Sequence, residues 1–240
     1  MDKQKEKPLV KSKQRIADHG EVFTDSKEVK AMVDLVDQSA SHPETLILEP
    51  ACGDGNFLSE ILQRRLNYMA SKWGKPAQRL EYEKQWILSL STLYGVELQE
   101  DNVKDCRIRL LKMAWEAYRS LFKRSSDMNV INAGAAVLES NILHGDALKL
   151  TSPHEPFEPL HFTQWSFAGA RVVRRTFSFA HLLDPKKHGR TLKSDKGHLT
   201  HIHEAIETLS PVIWKNLKPE DESITKKITT KTPKKAINNG

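Results

Sequence analysis

The order of apolar and polar positions predicts a repeated strand, loop and helix. Leu46, Ile47 and Leu48 run into Glu49, a short loop holding Gly53 and Gly55 follows, and Phe57, Leu58, Ile61, Leu62, Leu66 and Met69 then recur at helical spacing. This pattern reads as a strand over 46–50, a tight turn, and a helix over 57–70 packed on the sheet that the strand begins. Upstream, Val29, Met32, Val33 and Val36 fall at i, i+3, i+4 and i+7, an amphipathic helix with Thr24 or Asp25 as its N-cap. Downstream, residues 80–90 predict a helix leading into a second strand at 93–97. A long helix begins at Asp101 and carries Val103, Cys106, Leu110, Ala114, Tyr118 and Leu121 on one face. A third short strand reads over 141–148 and reaches an acidic residue at Asp146.

Beyond Leu150 the periods are less regular. Residues 162–167 alternate, Gly169 interrupts, and 171–179 resume, which predicts a hairpin. Residues 185–197 read as a basic loop, and a last helix is expected over 199–217, interrupted by Pro211. The chain thus divides into a flexible basic arm at 1–15, one α/β domain at 16–217, and a disordered Lys/Thr-rich tail at 218–240. Within the domain, three strands ending at Glu49, Glu97 and Asp146 would set three carboxylates along one edge of a doubly wound parallel sheet. Ligands of open α/β sheets bind at that edge.

Composition narrows the class. Apolar residues make up 38% of the 240 and charged residues 28%, and no stretch reaches the roughly 20 apolar residues of a membrane span. The lysine-rich N-terminus has no apolar core behind it and does not read as a secretory signal, so a cytoplasmic location with no membrane partner is expected. Two cysteines, Cys52 in the glycine loop and Cys106 in a helical pattern, argue against a disulfide framework. A formal charge of +6 suits a nucleic-acid partner, although part of the excess sits in the tails.

The glycine loop carries the most specific chemistry. A dinucleotide fingerprint needs a third glycine where this chain has Leu58, so a pyrophosphate is not the expected ligand. A mononucleoside fits better, because carboxylates accept hydrogen bonds from ribose hydroxyls and an exocyclic amine but repel a phosphate chain. S-adenosylmethionine is such a ligand, and its sulfonium tolerates an acidic edge.

Residues 48–58, Leu-Glu-Pro-Ala-Cys-Gly-Asp-Gly-Asn-Phe-Leu, resemble the first cofactor motif of adenine-specific DNA methyltransferases of bacterial restriction-modification systems. Gly-Glu-Val-Phe-Thr at 20–24 resembles that family's N-terminal cofactor-clasping motif, with Asp25 where the family has proline. Tyr-Gly-Val-Glu at 94–97 and Gly-Asp-Ala at 145–147 follow as the second and third motifs. The resemblance covers residues 13–150 and implies a class I methyltransferase Rossmann-like fold, a parallel sheet with flanking helices; with the hairpin and C-terminal helix read from the pattern beyond it, the sheet is expected to be incomplete after the third strand. It implies that Phe23 and Thr24 contact the methionine moiety and that Glu49, Pro50, Ala51, Cys52, Gly53, Asp54, Gly55 and Phe57 line the cofactor. Glu97 would take the ribose hydroxyls and Asp146 the adenine amine, with Leu98 and Ala147 against the ring.

The family's base-holding motif, Asn/Asp-Pro-Pro followed by an aromatic, is absent after Asp146. Three expectations follow. The chain is the cofactor-binding half of a split or truncated methyltransferase acting on double-stranded DNA with a partner polypeptide. Or it is a small complete enzyme in which Trp165, Phe167 or Phe177 stacks a base. Or it is an inactive DNA-binding or scaffold subunit of a defence complex. Arg171, Arg174, Arg175, Lys186, Lys187, Arg190 and Lys193 could meet phosphates or simply face solvent. His198, His201, His203 and Glu204 are not read as a metal site, since i, i+2 positions diverge on the helix expected there.

Overall fold

A computed structural model of the protein describes residues 24–36, 38–180, 189–193, 199–203 and 205–229, the stretches 189–193 and 199–203 by backbone alone. The arm at 1–15, Phe23, Lys186 and Lys187, and residues 230–240 lie outside the described residues.

The first helix, α1 (Ser26–Leu35), starts where the Asp25 side chain accepts the Lys27 N–H at 2.8 Å, so Asp25 is the cap. Its Val29 and Val33 are buried. Then come β1 (Ile47–Glu49), α2 (Asn56–Trp73), α3 (Arg79–Ser91), β2 (Leu93–Glu97) and α4 (Glu100–Phe122), each at its expected place. A further helix, α5 (Met128–Asn141), precedes β3 (Ile142–His144). The apolar period does not announce α5 because it is buried nearly all round, from Val130 and Ile131 through Ala133 to Leu138. Gly134 faces Trp86 there: a Cβ at this position would lie 2.5 Å from the indole.

Strands β1, β2 and β3 form one parallel sheet in that order, with Ile47 opposite Leu93, Glu49 opposite Gly95 and Glu97 opposite His144. The order runs one way. The three-stranded parallel sheet with flanking helices is the α/β arrangement expected, and among the described residues no strand lies beyond β1 and the order does not reverse. The third strand also stops at His144, two residues before Asp146.

Strand β2 divides the two cores. Leu93 packs with the helices, as does Ile142 of β3, while Val96 packs on the other face with Leu160, Phe162 and Phe179. The second face is covered by the expected hairpin, β4 (His161–Ala168) and β5 (Arg171–Ser178), which turns at Gly169 and is extended by a third antiparallel strand, β8 (Glu207–Ile213), to the order β4-β5-β8. Tyr94 joins the two sheets: its hydroxyl donates to the Thr163 carbonyl at 3.0 Å, and its ring meets Phe162 edge-on.

The helix expected over 199–217 is not formed. Strands β6 (Gly189–Lys193) and β7 (Leu199–His203) pair with each other, and β8 (Glu207–Ile213) pairs with β5. Pro211 fits because β8 is an edge strand, where a missing N–H costs no ladder bond. Since the backbone at 201–203 is strand, the helical argument against a metal there does not apply; those side chains lie outside the described residues. Beyond Leu217, in the stretch expected to be disordered, α6 (Ser223–Thr229) buries Ile224, Thr225 and Ile228.

Two polar networks hold this arrangement. Arg65 of α2 is fully buried, with no acidic partner among the described residues, and its guanidinium donates to the carbonyls of Ala40, Thr45 and Ser89 and to Thr92 Oγ1 at 2.5–3.0 Å. Burial pulls its pKa down to about 10. The other network is a buried acid in α3. Glu83 receives Arg79 at 2.8 Å, the Tyr118 hydroxyl at 2.5 Å and Lys215 Nζ at 2.5 Å, and the same ammonium reaches Asp127 at 2.9 Å.

Removing one partner of a buried ion pair leaves an uncompensated charge, so Lys215→Met should lower unfolding free energy by about 3 kcal/mol, measured by urea denaturation. The clamp also sets a pH window. Burial alone would push the Asp127 carboxyl up, but the bonds from Lys215 and Asn129 hold it below 3.8, so its contribution fades as pH falls below that value. Lys215 is held above 10.5 by Glu83 and Asp127 against the opposing pull of burial, so its contribution fades as pH rises past that value. The Lys215→Met variant should therefore show a flatter stability profile at both ends.

Candidate functional site

The loop between β1 and α2 is pinned from three directions. Its Cys52 N–H donates to the Val96 carbonyl at 3.0 Å, which continues the sheet pairing one step past the end of β1. Gly53 N–H donates to Glu97 Oε2 at 3.0 Å. Asp54, almost fully buried, is met by the Arg109 guanidinium of α4 at 2.6 Å, and a second nitrogen of the same group donates to Asn56 Oδ1. Burial lowers the Arg109 pKa, but a guanidinium stays charged at neutral pH.

Gly55 is required by geometry. It caps α2 in the left-handed region at φ 88°, and a Cβ there would lie 2.7 Å from Cys106 Sγ. The buried Cys52 thiol donates to the Gly53 carbonyl at 3.8 Å and neighbours Cys106. The contact with Cys106, followed by burial, pushes the Cys52 pKa far above the ordinary thiol range. Both cysteines are free thiols.

Beside the loop lies a small cleft of about 140 Å³. Thr24, Glu49, Ala51, Cys52, Gly53, Asp54 and Phe57, all singled out from the sequence, line it, and so do Val29, Met32 and Asn56. Asn56 ties the entrance together, its Nδ2 donating to the Thr24 carbonyl at 3.3 Å. Pro50 is an exposed turn residue, and neither it nor Gly55 lines the cleft. Glu97, Leu98, Asp146 and Ala147 also lie outside its walls. The volume is under half of the ~300 Å³ at the low end of small-molecule sites.

The three acids form a staircase. The register puts Glu97 two residues beyond Glu49 along the sheet, and Asp146 lies two residues past His144, which sits opposite Glu97. Each step spans roughly 7 Å. Glu49 Oε1 accepts the Ala51 N–H at 3.3 Å. Glu97 is more heavily engaged. Beyond Gly53, its Oε1 accepts Gln99 N–H at 2.9 Å and Asn102 Nδ2 at 3.3 Å. A carboxylate has about four lone-pair sites, so about one remains for an outside donor.

Asp146 closes its own turn. Its Oδ1 accepts the Leu148 and Lys149 N–H groups at 2.9 and 3.1 Å, and Lys149 Nζ lies 3.5 Å from Oδ2. The Lys149 N–H, followed by that of Leu148, holds its pKa below the usual carboxylate value. Nearby, Leu98 is 45% exposed and Ala147 packs against the Val96 cluster. Among the described residues no group of three His, Cys, Asp or Glu could hold a metal.

Asn56 and Arg109 were not foreseen. Asn56 sits inside the glycine motif, where helix spacing drew attention to Phe57 instead; Arg109, 55 residues from Asp54, has no local signal. Comparison with known proteins yields no family model, no curated protein and no solved structure similar to this chain.

Gly55→Ala should destabilise the fold by about 1–3 kcal/mol in chemical denaturation, because a β-carbon is strained at that φ and crowds Cys106. Arg109→Met should speed amide exchange through 52–56 while far-UV circular dichroism stays unchanged. Both thiols should resist iodoacetamide in the native protein and react on unfolding.

Proposed function

We propose that this chain binds S-adenosylmethionine as the methyl-donor half of a DNA adenine-N6 methyltransferase of a restriction-modification system. The observation that carries the reading is the preformed Ala51–Gly55 loop, with its cleft, at the C-terminal edge of a parallel sheet where Glu97 ends the neighbouring strand. The ligand's positive sulfonium suits a cleft edged by Glu49. Glu97 offers one free acceptor site to a ribose hydroxyl, and a two-hydroxyl grip requires it to release Gly53 N–H or Asn102. Of the Asp146 oxygens, Oδ2 is the one not taken by backbone and is the acceptor for an adenine amine.

The transfer itself needs a base-holding loop. Sequence motifs supply none here, so the acceptor groups and the reader of double-stranded DNA belong to a partner polypeptide. A second reading, an inactive scaffold that has kept the fold, is favoured by one observation: the carboxylates of Glu97 and Asp146 are largely engaged within the chain.

Calorimetry separates the two. Binding of S-adenosylmethionine weakened about tenfold or more by Glu97→Ala supports the donor reading, the size expected for one charged hydrogen bond. No heat at millimolar ligand supports the scaffold. Incubation with DNA and labelled donor should give no methylated adenine from the chain alone; label transfer without a partner would overturn the split-enzyme reading.

A further inference from the structure

The side of the molecule formed by α1 and β1 is unfinished. Strand β1 pairs only with β2 among the described residues, and Ile47 N–H is directed at the Thr92 carbonyl of that side. Alternation then turns the N–H and C=O of Leu48 outward, where no described strand meets them. The strand carries neither the lysine nor the bulge that commonly blunts a sheet edge.

Its surroundings are apolar. Leu46 and Leu48 are 66% and 43% exposed, and they lie beyond the reach of the β4-β5 hairpin that covers Tyr94 and Val96 on the same face. On the helix side of the same edge, Met32 of α1 shares a cleft with Glu49 and is half exposed. Solitary exposed leucines are ordinary; Leu46 and Leu48, exposed on one face of an open strand edge, mark an interaction surface.

Charge decides what can sit there. Residues 24–49 hold six carboxylates against two lysines, in a chain whose net charge is +6. A second copy would bring the same acids edge to edge, and DNA would be repelled. We infer that an extended segment of another polypeptide, apolar on the face it would share with Leu46 and Leu48 and flanked by lysine or arginine, adds to the sheet as a fourth strand alongside β1.

Such a strand would end beside the Ala51–Gly55 loop and supply a wall to the half-built cleft. Strand addition stands apart from the methyl-donor reading, since it is measured with no cofactor present.

The probe is a short synthetic peptide of alternating valine and threonine with a pair of lysines at each end. The same core with glutamates at each end is the control. Hydrogen exchange of the Leu48 amide is followed by mass spectrometry or NMR. The lysine-flanked peptide should slow that amide roughly tenfold or more, with the effect reduced by salt, and the glutamate-flanked peptide should not. Leu48→Lys should abolish the protection with the fold intact by circular dichroism. Leu46→Ser, in the more exposed position, should weaken it and serves where Leu48→Lys does not fold. No slowing by either peptide, or equal slowing by both, would overturn the inference. So would protection that rises with the chain's own concentration alongside a dimer in sedimentation, which assigns the edge to a second copy.

Discussion

Arg65 is the interaction on which the rest of the sheet depends. A guanidinium buried without an acid must spend its donors on carbonyls and hydroxyls, and these come from just ahead of β1 and of β2. The approach to β1 at Ala40 and Thr45 is thereby fixed against the end of α3 at Ser89 and Thr92. Thr92 is also the residue whose carbonyl receives Ile47 N–H, the first rung of the ladder. One side chain of α2 therefore sets how far β1 slides along β2, and with it the height of Glu49 relative to Glu97.

That height makes the loop what it is. With Glu49 opposite Gly95, the chain leaving β1 passes beside Glu97, whose carboxylate takes Gly53 N–H while capping the start of α4 through Gln99. Arg109, three turns further along α4, then reaches back to Asp54 and Asn56. The loop is held by its neighbour's strand and helix rather than by its own short turn. This is the rigidity that a binding loop needs before a ligand arrives.

Much of this was legible in the sequence, for definite reasons. The helices around α2 and α4 present one apolar stripe each, and the strands at β1 and β2 run from apolar residues into an acid, so period alone places them. The hairpin was legible from alternation broken by Gly169. Helix α5 was not, because a segment buried all round has no polar face to set a period. Residues 199–217 were misread as helix because spaced apolar residues of an edge strand, with Pro211 among them, mimic an interrupted helical stripe. At the site, the glycine loop and its acids could be seen in the order of residues. The coupling of Asp54 to Arg109 could not, because it joins a loop to a helix 55 residues further on, and the two meet only after folding.

The Glu83 clamp has a consequence for the life of the chain before it is complete. Lys215 follows Glu83 by 132 residues, yet Glu83 is wholly enclosed by the helices in the finished protein. While the chain is being made, those helices and the Arg79 that meets Oε1 are available long before the ammonium that meets Oε2. Closing over the acid early would strand one of its oxygens in an apolar interior, so the bundle stays ajar until the C-terminal segment is synthesised. A segment made 132 residues after the acid thus lets the helices close over it, and a product cut short before Lys215 would keep an open, hydrated seam for proteases to find.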